Sequence, residues 1–242
     1  MHISKLLYIQ DCYMREFDAE VTGISSDEQG NAWIELGQTA FYSTGGGQPY
    51  DTGVMISGGD EYKVLEVKKS DGTVLHKIDR PGLAIGDKVH GNIDWERRYR
   101  LMRYHTAAHI LCAIAEKEAN CLISGNELYT DKARFDFTLE NFDRNLPQGF
   151  EAKANEIINR AIPINFKILP REEAFKIPSL VRLQKGFPES IQEIRIVDIQ
   201  GFDVQACGGT HLHNTSEIKG IKIYDMENKG KGRKRVYFRI LD

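Results

Sequence analysis

Residues 94–115 read DWERRYRLMRYHTAAHILCAIA, and the organisation of the chain turns on them. Asp94 is a residue type that caps helices, and Glu96 follows in what would be the first turn. Leu101, Tyr104, Ala108, Leu111 and Ala115 then recur at steps of three and four, so the period is helical and an amphipathic helix is predicted from just after Asp94. Upstream the texture is different. Ala32, Ile34 and Leu36 alternate with Asn31, Trp33 and Glu35 as in a half-buried strand, and turn signals recur at Asp27-Glu28-Gln29-Gly30, Ser57-Gly58-Gly59-Asp60, Ser70-Asp71-Gly72 and Arg80-Pro81-Gly82. Regular short strands of this kind predict a small β-barrel or sandwich, with Leu83 to Val89 turning into its last strand.

Downstream of the helix, Ala133-Arg134-Phe135-Asp136-Phe137 is strand-like. A second amphipathic helix is predicted with Phe150, Ala154, Ile157 and Ala161 on one face, ending before Pro163. Ile194–Val197, Ile221–Tyr224 and Val236–Ile240 are strand-like runs. The expected class is α+β, with a β-barrel domain over residues 1–93 and an α+β domain over residues 94–242. A length of 242 residues suits one large or two small domains at about 150 residues per domain.

Composition excludes several classes. Hydrophobic residues make up 41%, charged residues 28% and aromatics 10%, which removes a disordered tail, a collagen-like repeat and a small disulfide scaffold. Thirty-two Lys and Arg against thirty-five Asp and Glu leave a net charge of −3, so the chain is not the strongly basic kind that nucleic-acid binding alone predicts. No apolar run approaches the ~20 residues of a membrane helix. Met1–Leu7 is followed by Asp11, Arg15 and Glu16 with no signal-like apolar core, and Cys12, Cys112, Cys121 and Cys207 show no CxxC spacing. The expectation is a cytoplasmic protein with reduced thiols.

Three motifs carry chemistry. In His105-Thr106-Ala107-Ala108-His109 the two imidazoles fall at i and i+4 of the predicted helix, on one face, where both can point at one ion. No Glu follows the first His, so this is not a metalloprotease site. Cys207-Gly208-Gly209-Thr210-His211 offers a thiolate and an imidazole around a glycine turn. The two pairs complete a tetrahedral set of zinc-competent groups, although each alone also reads as a buried His or Cys. The third motif, Phe41 to Gly53, contains Gly45-Gly46-Gly47-Gln48; the glycines allow close backbone approach to a ligand, with a tight turn as the alternative. It lacks the Gly-Lys-Ser/Thr ending of a nucleotide-binding P-loop.

In this order, the motifs resemble those of the free-standing alanyl-tRNA editing proteins called AlaX, medium-length class, and of the editing domain of alanyl-tRNA synthetase. The Phe41–Gly53 segment, the Arg103–His109 helix, Asp131–Phe137, Ala206–His211 and Thr215–Ile218 carry the resemblance, which runs from about residue 15 to the C-terminus. It implies hydrolysis of the ester on tRNA(Ala) mischarged with serine, and also with glycine, because a pocket made for alanine rejects them poorly. It implies one zinc ion per chain held by His105, His109, Cys207 and His211. Zinc is expected mainly to shape and position the site. Gln48, Thr106, Gln205 and Thr210 are candidates to orient water, and the Gly208 and Gly209 N–H groups are candidate oxyanion donors. Gly46 and Gly47 are expected against the substrate, and the contact to the serine hydroxyl falls on Ser124 or Asn126.

Basic residues cluster at Arg97, Arg98, Arg100 and Arg103 and again at Lys229, Lys231, Arg233, Lys234 and Arg235. Of these, Arg97, Arg98, Arg103, Lys231 and Arg233 are the expected phosphate contacts of the tRNA partner, against a solvated helix face and hairpin tip as the alternative. A zinc-stabilised tRNA-binding module without hydrolysis and a small-molecule zinc hydrolase are the competing functions. Monomer and homodimer both remain open.

Overall fold

The computed structural model describes residues 4–70, 72–139, 146–181, 189–230 and 232–242. Two compact units divide the chain, Met1–Leu101 and Met102–Asp242. Among the described residues no helix is long and apolar enough to cross a membrane, and all four cysteines are free.

The first unit is a closed barrel of six strands: β2 (Glu16–Ser26), β3 (Ala32–Leu36), β5 (Gly53–Ser57), β6 (Asp60–Ser70), β7 (Thr73–Ile78) and β8 (Lys88–Ile93). They close in the order β2-β3-β7-β6-β5-β8, every pair antiparallel, while β1 (Lys5–Leu6) and β4 (Gln38–Thr39) form a short parallel pair beside them. Val21, Ile34, Leu36, Phe41, Met55, Val64 and Val67 fill the interior. At Gly91 an added Cβ would come within 2.5 Å of the Phe17 ring, so this position of β8 accepts no side chain. Closure removes the free edges of these six strands.

The expected cap forms: Asp94 Oδ1 accepts from Arg97 N at 3.2 Å, and α1 runs from Trp95 to Ala119. The helix departs from an amphipathic one, because every residue from Leu101 to Ala115 is buried. A helix covered on all sides must bury its charged residues with partners. Arg98 does so inside the first unit. Its guanidinium is ion-paired with the equally buried Asp51 and donates to Cys12 O at 3.0 Å and to Ala40 O at 2.6 Å. The compact division therefore falls after Arg98 rather than at the cap.

The second unit carries two antiparallel sheets. One has the order β14 (Ile221–Asn228), β15 (Arg233–Ile240), β10 (Ala133–Thr138), β9 (Leu122–Leu128); the other is β11 (Ile164–Pro170), β12 (Glu193–Ile199), β13 (Asp203–Ala206). Helix α2 (Leu146–Asn159) covers the larger sheet, with the Phe150 and Phe137 rings 6.2 Å apart and Asn155 bonded both ways to the Ile221 backbone. Its buried face is Phe150, Ala154, Ile157 and Ile158. Ala161 is not part of it: it lies beyond the helix, exposed, with φ of 51°. Two short helices, α3 (Arg171–Ala174) and α4 (Pro178–Val181), accompany the smaller sheet, with Ala174, Phe175, Leu180, Ile194 and Ile196 in one apolar cluster.

Within the barrel, His76 is fully buried, with Nδ1 at 3.0 Å from Ile34 O and Nε2 at 2.9 Å from Thr39 Oγ1. The carbonyl can only accept, so Nδ1 carries the proton and Nε2 accepts from the threonine hydroxyl; the neutral ring is fully satisfied. Burial lowers its pKa from 6.5 to about 4. The unfolded chain therefore binds this proton first, and the stability His76 contributes above pH 6.5 is lost as pH falls toward 4. Thermal unfolding followed between pH 7 and 4 should show Tm falling through this window, with a shallower fall in His76→Gln. Equal slopes in the two proteins would contradict the assignment.

Candidate metal centre

Helix α1 supplies two imidazoles to the second unit. His105 and His109 lie one turn apart on the same face, with ring centroids 5.1 Å apart. The other two groups come from the turn that follows β13. The donor atoms of His105, His109, Cys207 and His211 all lie within 4.8 Å of one another. Cys207 Sγ is 3.5 Å from His105 Nε2 and 3.3 Å from His211 Nε2. Tetrahedral zinc with Zn–N near 2.0 Å and Zn–S near 2.3 Å places its N and S donors about 3.5 Å apart, so these separations fit the edges of such a site. His109 Nδ1 is buried with no hydrogen-bond partner, an orphan that a cation would also account for. The group can hold a metal ion, and its soft sulfur with three imidazoles suits zinc.

Burial sets the protonation state. His105, His109 and His211 all have their pKa values pushed down from 6.5, first by desolvation and then by neighbouring positive charge, His109 to about 4. Neutral imidazole is the form that ligates. Cys207 Sγ accepts from the Gly209 N–H at 3.4 Å, which fixes the sulfur's orientation.

Thr106 sits behind this shell. Fully buried, its Oγ1 lies 3.2 Å from His211 Nδ1 and accepts from Leu212 N at 3.2 Å. With Nδ1 held there, His211 presents Nε2 to the sulfur. Thr106 thus acts on the site through His211.

The other expected residues are distributed as follows. Thr210 is fully buried and Gln205 half-buried on β13, its amide donating to Asp203 Oδ2 at 2.6 Å. The Gly209 N–H is taken by Cys207 Sγ and is no oxyanion donor; Gly208 is an exposed residue, and its N–H has no partner among the described residues. Gly46, Gly47 and Gln48 belong to the first unit. There Gly45 and Gln48 close a two-residue turn through N–H to O bonds of 2.9 and 3.1 Å, with Gly46 and Gly47 at φ of 57° and 84°. Positive φ at both central positions is what such a turn needs and why glycine occupies them. The Gln48 side chain is buried.

Ser124 stands exposed in β9, at the bulge where the pairing with β10 shifts, and Asn126 pairs with Phe135. Two expected phosphate contacts are overturned by burial. Arg98 is spent on Asp51, and Arg103 donates to Ile218 O at 2.9 Å and to Leu241 O. Arg97 is half-buried, donating to Tyr50 O, while Arg233 is exposed; Lys231 lies outside the described residues.

Sequence reasoning passed over Arg195. It is buried in the middle of β12, and its Nη1 donates to Cys207 O and Gly209 O at 2.9 Å each. The signal was available: an arginine inside the apolar run Ile194–Val197 must find internal partners.

A barrel followed by a unit with three imidazoles and a thiol around one point defines a class that comparison makes explicit. The family described as "Threonyl and Alanyl tRNA synthetase second additional domain" matches residues 194–237, the stretch carrying β12, Cys207 and His211, and "tRNA synthetases class II (A)" matches residues 8–97. The chain is 46% identical to "Alanyl-tRNA editing protein AlaX-M" of Methanosarcina barkeri, covering 99% of this chain and 100% of the relative. The protein of the same name from Saccharolobus solfataricus is also 46% identical, over 97% and 98% of the two chains. "Alanine--tRNA ligase" of Pyrococcus furiosus is 40% identical over 97% of this chain, which corresponds to 26% of the ligase. This chain belongs to the AlaX-M family of alanyl-tRNA editing proteins.

If Thr106 orients His211, Thr106→Val should weaken zinc binding about tenfold or more while far-UV circular dichroism stays unchanged, and Thr106→Ser should restore it. Competition against a chromophoric chelator reads the affinity. Wild-type affinity in the valine variant would remove Thr106 from the site.

Proposed function

We propose that this chain is a deacylase that hydrolyses the ester of tRNA(Ala) mischarged with serine, and also with glycine, releasing the free amino acid and tRNA. The observation that carries the reading is the convergence of His105, His109, Cys207 and His211 in a chain of the alanyl-tRNA editing family. The unit Met102–Asp242 is the proposed editing unit. Water adds to the ester carbonyl carbon, the bond to the ribose oxygen breaks, and the proton goes to that oxygen.

Zinc held by His105, His109, Cys207 and His211 would be of the closed kind, and the chemistry it would supply there is a fixed positive charge beside the 3′ end. The remaining steps fall to the chain. Gln205, whose amide nitrogen is fixed on Asp203, offers its carbonyl oxygen to orient the water, and the N–H of the exposed residue Gly208 faces the developing oxyanion. Ser124 and Asn126 are the proposed partners of the serine hydroxyl. A site built to hydrogen-bond that hydroxyl discriminates against alanine, which lacks it. The Gly46–Gly47 turn tip, Arg97 and Arg233 are proposed to meet the RNA, where binding weakens steeply with salt.

A deacylation panel with seryl-, glycyl- and alanyl-tRNA(Ala) tests the proposal. Seryl-tRNA should be cleaved fastest and alanyl-tRNA slowest. Cys207→Ala should reduce the seryl rate about a hundredfold, and Ser124→Ala with Asn126→Ala should narrow the seryl/alanyl ratio. Binding of tRNA with no turnover on any substrate would point to a tRNA-binding module and overturn the hydrolytic reading.

A further inference from the structure

The Cys207–His211 turn is held by one residue at three points. The Arg195 carbonyl accepts from Cys207 N at 3.1 Å, extending the β12–β13 ladder one residue past Ala206. The Arg195 guanidinium then reaches round and donates Nη1 to Cys207 O and Gly209 O, each at 2.9 Å. Its cationic carbon lies 4.5 Å from the centroid of the Phe166 ring, two positions along β11 from its strand partner Ile168. The guanidinium is therefore packed against a ring and bonded to carbonyls on either side of Gly208, in a residue only 7% exposed.

Two consequences follow from planar geometry. Among the described residues no peptide bond is cis, so within each peptide the C=O and the following N–H point in opposite directions. With Cys207 O drawn to Arg195, the N–H of the exposed residue Gly208 is turned away from the guanidinium. With Gly209 O drawn to the same nitrogen, the chain between the two carbonyls closes tightly enough for the Gly209 N–H to reach Cys207 Sγ at 3.4 Å. The sulfur is thereby aimed at His105 Nε2 and His211 Nε2.

We propose that Arg195 is the positioning residue of the Cys207–His211 turn, and that its guanidinium fixes at once the direction of the Cys207 sulfur and that of the Gly208 N–H, which points away from it. It couples metal holding to the substrate-facing backbone through one side chain. The inference rests on the metal-binding reading of the four-residue cluster and deepens it.

The test compares wild type, Arg195→Met and Arg195→Lys, each titrated with Co(II) as the probe metal. The thiolate-to-cobalt absorption band and the affinity are read, with far-UV circular dichroism and urea unfolding of the metal-free chain alongside. Methionine keeps apolar packing on Phe166 but loses both carbonyl bonds; its Co(II) affinity should fall about ten- to hundredfold and its thiolate band should weaken. Lysine can reach a carbonyl but not act as a planar fork, so it should recover part of the affinity. A merely structural role would lower the urea midpoint while leaving affinity and band unchanged, and that result overturns the proposal. Should the methionine variant fail to fold, the lysine variant decides: an affinity and band equal to wild type overturn the proposal, a loss of several-fold supports it. Failure of wild type itself to bind Co(II) would instead sink the metal reading, and Arg195's role with it.

Discussion

Three imidazoles and one thiol share a volume in which no donor atom lies more than 4.8 Å from another, and that crowding constrains the second unit. Protonated, the three rings would repel one another in a desolvated setting; burial and the neighbouring arginine keep them neutral. Neutral rings around a sulfur are a ligand set in search of a cation. The architecture that delivers them is economical: α1 sets two at i and i+4, and the turn after β13 sets two more about a hundred residues later. Closing so long a loop costs chain entropy, and an ion clipping its ends recovers stability from the unfolded state.

The ligand turn is one case of a device the chain uses three times. Arg98, Arg103 and Arg195 are all buried, and each spends its donors on backbone carbonyls where segments distant in sequence meet. Arg98 ties Cys12 and Ala40 beside Asp51, Arg103 ties Ile218 and Leu241, and Arg195 ties Cys207 and Gly209. A planar fork with five N–H groups can satisfy several carbonyls while its charge stays paired or packed on a ring. The fold therefore draws on arginines inside each unit, and the basic character of the α1 sequence belongs partly to its interior.

That explains what was legible from sequence and what was not. The short strands of the first unit, the Asp94 cap and the strands at Ala133, Ile194, Ile221 and Val236 follow from local periodicity and turn chemistry, which are written along the chain; closure of the barrel rather than a sandwich is seen only in the fold. The two ligand pairs were readable because His105 and His109 satisfy a helical spacing and Cys207 and His211 flank a glycine turn. Burial of Arg98 and Arg103 was not, because a helix with four arginines looks solvated until tertiary packing covers every face of it. Nor was the choice between Gly208 and Gly209 as the free N–H, which depends on where carbonyls point. Arg195 shows the intermediate case: its apolar neighbours announced burial, but only the fold shows that its partners are the carbonyls of a ligand turn.

The proposed function requires that His105, His109, Cys207 and His211 form one metal centre rather than a buried polar cluster. X-ray absorption at the zinc edge of the loaded protein addresses it directly. One sulfur at about 2.3 Å and three nitrogens at about 2.0 Å are expected, with one ion per chain. A shell of nitrogen and oxygen without sulfur, or a chain that takes up no zinc, would contradict it.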